Sequence, residues 1–139
     1  MLHADCFTLI TFAIKSLNKN FMTNFQYSPT KENKSFPKGE TFNFATSVDY
    51  SEGSIVSKIL LRNDKGNITM FSFDQGELLS EHTAPFDALV QIFDGEAEII
   101  IDGVSNRVST GESILMPANI PHSVVARIRM KMLLTMIKG

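Results

Sequence analysis

The chain carries three histidines, His3, His82 and His122, and a single cysteine, Cys6. An imidazole is neutral or cationic near pH 7, so it serves as a metal ligand, a hydrogen-bond partner or a proton carrier. Three carboxylates flank His82, namely Glu77, Glu81 and Asp87, and any of them that reached the same space would complete a two-histidine, one-carboxylate metal site. A lone Cys6 excludes an intrachain disulfide and a cysteine-based zinc cluster. The sequence has no phosphate loop, no nucleophile elbow, and no spacing that joins Ser or Cys to a histidine and an acid. The chemistry therefore centres on His82 and His122, whereas His3 sits in the N-terminal arm and reads as a bystander. The plain alternative is that each is a pocket histidine bonded to backbone or water.

The elements that must position these two residues are strands. Beyond Gly53 the chain breaks into short runs rich in Ile, Val and Phe, at 54–61, 68–73, 88–93, 97–101, 113–116, 122–128 and 130–137. Between them lie 64–67, 74–76 and the pairs Asp94-Gly95, Asp102-Gly103 and Thr110-Gly111. Asp-Gly pairs favour tight hairpins because glycine takes positive φ without steric cost, so antiparallel pairing is expected. No stretch keeps a helical period with caps. Residues 54–139 are expected to form an all-β sandwich or barrel, preceded by an arm, 1–53, with one or two short strands. The aromatics Phe25, Tyr27, Phe36, Phe42 and Phe44 on that arm need burial across the domain or on a second subunit.

Composition narrows the partners. At 139 residues, with 43% apolar and 20% charged residues, there is one hydrophobic core and no room for a second domain. A net charge of −2 without a basic stripe argues against nucleic acid and makes a small molecule the expected ligand. The apolar run at 6–14 is too short to span a bilayer and follows Asp5, which argues against a membrane partner and against a signal peptide. It reads as an irregular arm, or as sequence upstream of a natural start at Met22, a choice that the intact mass of native protein decides. One cysteine fits a cytoplasmic protein. The run 130–137 is apolar on both alternating faces apart from Lys131 and Thr135, so a second sheet or subunit should cover one of them, and a homodimer is expected.

Two segments resemble the paired motifs of the cupin superfamily. In the first, Gly76, His82 and Gly95 fall on the pattern, while Ala84 stands at the second histidine position and Ala88 at the glutamate position. In the second, Gly111, Pro117 and His122 match, Asn119 replaces a glycine, and Ala126 replaces an asparagine. Asparagine is the next most tolerant residue of a left-handed turn, so the first of these replacements costs little. The likeness spans about 68–137. It implies a cupin-like antiparallel jelly-roll β-barrel of six to eight strands, similar to the small single-domain bacterial cupins.

The resemblance also implies a site. Metal-binding cupins hold iron, manganese, nickel, zinc or copper with three histidines and a glutamate from the inner strand faces, which would make His82 and His122 two of the ligands. Two neutral imidazoles supply no charge compensation, so weak or absent metal is expected, with Zn, Ni, Fe or Mn as the divalent candidates. Asp87 should point away, because Ala88 holds the inward position beside it. The space left by Ala84 and Ala88, lined also by Met116, suits an organic ligand bridging the two histidines. Phe71, Phe73, Val90, Ile92, Val124, Met132 and Leu134 read as core and pocket wall, and Met130 and Met136 would add an adaptable lining if they face inward. Three functions follow: a small-molecule-binding module; a metal-dependent isomerase, decarboxylase or oxygenase; or a metal-free acid–base enzyme, for which no acidic partner stands at a motif position.

Overall fold

The structure is a computed structural model that describes residues 36–139. His3, Cys6, the run at 6–14, Met22, Phe25 and Tyr27 lie outside the described residues. The described chain has one helical turn, α1 (Phe44–Ser47), and nine strands: β1 (Ile55–Asn63), β2 (Gly66–Phe73), β3 (Leu78–His82), β4 (Ala88–Asp94), β5 (Glu96–Ile101), β6 (Val104–Ser109), β7 (Ser113–Met116), β8 (His122–Val125) and β9 (Met130–Ile137). They form a five-stranded sheet in the order β1-β2-β9-β4-β7 and a four-stranded sheet in the order β3-β8-β5-β6, antiparallel throughout. The fold is the all-β jelly roll, built as two facing sheets.

Local chemistry sets this pairing. Asp102 and Gly103 both adopt positive φ, 49° and 77°, between Ile101 and Val104, which face each other across β5 and β6. That is the two-residue hairpin turn whose twist matches its strands. Two strands lie outside the apolar runs. β6 carries only Val108 as a buried apolar residue and runs along a sheet edge, so its pattern was too polar to be recognised. β3 lies within the first motif. β8 ends at Val125, short of the expected 128, because Arg127, Ile128 and Arg129 form an exposed turn.

Side chains from the two inner faces interlock to make the core. Phe71, Phe73, Val90, Ile92, Met132 and Leu134 come from the larger sheet; Leu79, Ala97, Ile99, Val108 and Val124 come from the smaller. Full burial of each large side chain is worth about 2 kcal/mol, so this layer dominates stability.

The outer face of the larger sheet is covered in part by residues 36–53. Here the arm, for which short strands were expected, holds the turn α1, capped by the Asn43 side chain accepting from the Ala45 N–H at 2.8 Å. Phe44 packs 5.4 Å from Phe93, Ser72 Oγ donates to the Asp49 carbonyl at 2.7 Å, and Lys131 Nζ donates to the Ala45 carbonyl. The smaller sheet thus covers the inner face of β9, as expected of a second sheet, and the chain's own arm covers the first half of its outer face. The far end stays open, with Ile137 69% exposed.

Candidate functional site

His82 reaches the interior through an irregularity in β3. Leu79 pairs with Val124 and His82 with His122, so three steps on β3 oppose two on β8. In a regular strand Leu79 and His82 would point to opposite faces; the bulge turns both inward and sends Glu81 to solvent. His122 opens β8 directly after a loop in which Asn119 has φ 61°, the left-handed conformation anticipated for it. That loop is tied to the first motif by two bonds: the Asn119 N–H donates to the Ala84 carbonyl at 2.7 Å and the Ala118 N–H to Asp87 Oδ1 at 2.8 Å. Asp87 is therefore a loop clamp, exposed and turned away from the site, as side-chain alternation required.

The two rings lie 4.5 Å apart, centre to centre, at 64°. His82 Nδ1 lies 2.7 Å from the Ser80 carbonyl and His122 Nδ1 lies 2.9 Å from the Ile120 carbonyl. A carbonyl only accepts, so each Nδ1 carries a proton, and in the neutral form of a ring bound this way the lone pair is on Nε2. Burial is the main cause that pushes the His122 imidazole below its ordinary value, the nearby His82 adding to it, while the bond to Ile120 opposes the shift. His122 is thus neutral at pH 7.

Across the interior, Ala88 on β4 faces Met116 on β7 and Met136 on β9 as direct register partners. The His82–His122 pair and this Met116–Ala88–Met136 row line a single cavity with Leu79, Ala84, Val124, Met132 and Leu134. Its volume is about 340 Å3 including the open mouth, and the enclosed part has room for about one or two waters. The space beside the alanines is smaller than the sequence implied, since methionine side chains occupy much of it. His82, His122, Ala84, Ala88 and Met116 are all brought together. Met136 completes the walls as the inward-facing methionine the sequence allowed for, whereas Met130 is absent from the lining; Leu79 joins them through the bulge.

The cavity wall contains no carboxylate. Glu81 and Asp87 are exposed, and Glu77, though buried, is absent from the lining; burial is the main cause that raises its carboxyl above the ordinary range, with the Asp74 charge contributing. Among the described residues no three of His, Cys, Asp and Glu cluster as a metal site would require. This donor set does not fit a divalent ion held by three or four protein ligands, because two uncharged nitrogens leave both the charge and the shell incomplete.

The fold and paired motifs have counterparts among known proteins. Residues 69–137 match the model of the cupin domain. A conserved protein of unknown function from Streptococcus pyogenes is 34% identical with a TM-score of 0.73, over 76% of this chain and 92% of that one. A cupin superfamily protein from Desulfitobacterium hafniense is 28% identical with a TM-score of 0.71, over 76% of this chain and 97% of its own. A cupin 2 conserved barrel domain protein from Leptotrichia buccalis is 47% identical with a TM-score of 0.68, over 70% of this chain but only 47% of that longer one. No curated protein matches. The chain belongs to the cupin superfamily.

Proposed function

We propose that this protein is a small-molecule-binding cupin whose cavity takes a compact, uncharged ligand through His82 and His122, with weak or no divalent metal. The observation that carries this reading is the pair of inward Nε2 lone pairs in an otherwise apolar cavity. Two acceptors without a fixed cation select a hydroxyl or amide donor, and a carboxylate would lose its hydration without gaining a counter-charge. Thermal-shift screening of small alcohols, amides, sugars and acids at pH 7.5 tests it. Neutral donors should raise the unfolding midpoint of the wild type and leave a His82→Ala/His122→Ala variant unmoved. Equal shifts in both proteins, or shifts from carboxylates alone, would count against it.

A metal-dependent isomerase, decarboxylase or oxygenase is the second reading. It is favoured by the same Nδ1 bonds, which hold both rings in the tautomer that metal ligation uses. Near-stoichiometric zinc, nickel, iron or manganese in tag-free protein, absent from the double variant, would move it ahead. We further assign the protein to the cytoplasm on its single cysteine, and among the described residues no helix is long and apolar enough to cross a membrane. We expect a homodimer through the uncovered part of the larger sheet's outer face, where Leu61, Leu115 and Ile137 are 47%, 67% and 69% exposed. Light scattering of the native protein tests that expectation.

A further inference from the structure

We infer that two copies of this chain pack back to back through the larger sheet, interlocked so that the arm of each sits beyond the strand ends of the other. The inference rests on the homodimer expected above and gives it a contact and an axis. Its basis is one row of side chains across the outer face. Leu61 pairs with Ile68, Ile68 with Thr135, Thr135 with Leu89 and Leu89 with Leu115, so the row crosses all five strands. At a strand spacing of 4.7–4.9 Å it is about 19 Å wide. The row carries no charge, and its two ends, Leu61 and Leu115, are exposed. The outer face of the smaller sheet is unlike it, since Glu98 pairs there with Arg127 and Glu96 with Arg107. Depletion of charge marks the core of a buried interface.

The shape of the face selects the partner. Residues 36–53 stand on the half that holds Ser72 and Lys131, whereas the half that ends at Ile137 is bare. A surface raised at one end and recessed at the other fits a second copy turned about an axis along the row, because each raised half then enters the other's recess. Turned instead about an axis along β9, the two arms would collide before the rows could meet. In the interlocked pair Leu61 and Leu115 each meet the same residue of the second copy, as the isologous contact of a two-fold requires, and the facing strands run in opposite directions. Ile137 then approaches the other copy's arm, where Phe42 and Phe44 are exposed. Leu61, Ile68, Thr135, Leu89, Leu115 and Ile137 together expose on the order of 500 Å2, so two copies bury about 1,000 Å2, the lower bound of a specific interface, and the arms add to it.

The test uses the full native chain at low micromolar concentration, with the mass read by sedimentation and light scattering. The wild type should be a dimer. Leu115→Lys and Leu115→Glu, changes at an exposed position, should each keep the unfolding midpoint and raise the dissociation constant at least about a hundredfold, because two like charges meet in a desolvated contact. Mixed in equal amounts, the two variants should dimerise within about tenfold of wild-type affinity, since lysine then faces glutamate. A dimer that persists in both single variants overturns this interface and leaves a homodimer formed elsewhere on the molecule. Rescue of Leu115→Lys by Leu61→Glu and not by Leu115→Glu overturns the interlock, since it lays β7 over β1. A monomeric wild type overturns both the interface and the homodimer. In that case retention on phosphatidylcholine vesicles, lost in Leu115→Lys, would assign the row to a lipid surface, and a Cys6 thiol reactive only in Leu115→Lys would assign it to residues 6–14. The small-molecule reading is judged separately, because no residue of the row lines the cavity.

Discussion

The two faces of the β4–β9 pair carry opposite kinds of polar chemistry. On the outer side Lys131, Tyr50 and Arg129 are each tied to a protein partner. Lys131 is buried to 6% exposure, yet it donates to the Ala45 carbonyl and sits 4.8 Å from the centre of the Tyr50 ring. The Tyr50 hydroxyl donates to Asp94 Oδ2 at 2.7 Å, and burial followed by this bond raises the phenol above its ordinary value. Arg129 Nε donates to Asp74 Oδ1 at 2.7 Å, and the Asp74 carboxyl is held below its ordinary range by the Gly53 N–H first and then by Arg129. Opposite the inner face, His82 and His122 of the smaller sheet each satisfy one nitrogen on the backbone carbonyl two residues earlier and keep the other toward the cavity. Polar groups that use all their bonds internally hold an element in place; those with a bond to spare are available to a ligand.

Gly95 is where the greatest loss is expected, because it joins the two sheets between β4 and β5 with φ at 69°. A Cβ there would meet the Arg129 carbonyl oxygen at 2.0 Å. Gly95→Ala should cost about 3 kcal/mol, measured by denaturant unfolding, since the obstacle is backbone that cannot step aside. It would disturb both faces together. Tyr50→Phe separates them: loss of the hydroxyl bond to Asp94 should lower stability by about 1 kcal/mol while leaving ligand affinity in the cavity unchanged. A changed affinity would show that the arm reaches the site through the sheet.

The smallest expected effect is that of pH on the ligand-free protein. The unfolded His122 imidazole protonates near its ordinary 6.5, whereas the folded one protonates only at lower pH. Between those two values the unfolded state binds more protons, so stability is present above 6.5 and falls as pH drops below it. Thermal unfolding across that range should show a weaker slope in His122→Gln. An unchanged slope would place the titration elsewhere.

Much of the fold was legible before any coordinates. The spaced apolar runs and the Asp-Gly turns identified antiparallel strands because strand periodicity and positive-φ turns are local properties. The paired motifs located His82, His122 and the two alanines, and Asn119 takes the left-handed turn its position called for. β6 was hidden because its polar sequence obtains its partners from β5, with Val104 exposed and Val108 its one buried apolar residue. The covering of β9 by residues 36–50 was hidden as well: spaced aromatics announce a need for burial without saying which surface meets it.

By itself the sequence determined composition, the class of fold and which residue types stand at the motif positions, since each of these depends on residues close together in the chain or on recognisable spacing. Only the tertiary structure decided that the β3 bulge turns His82 inward, that backbone carbonyls fix both protons on Nδ1, and that Met116 and Met136 stand on either side of Ala88. Those facts arise from register between strands distant in sequence, where a shift of one residue would exchange the inner face for the outer.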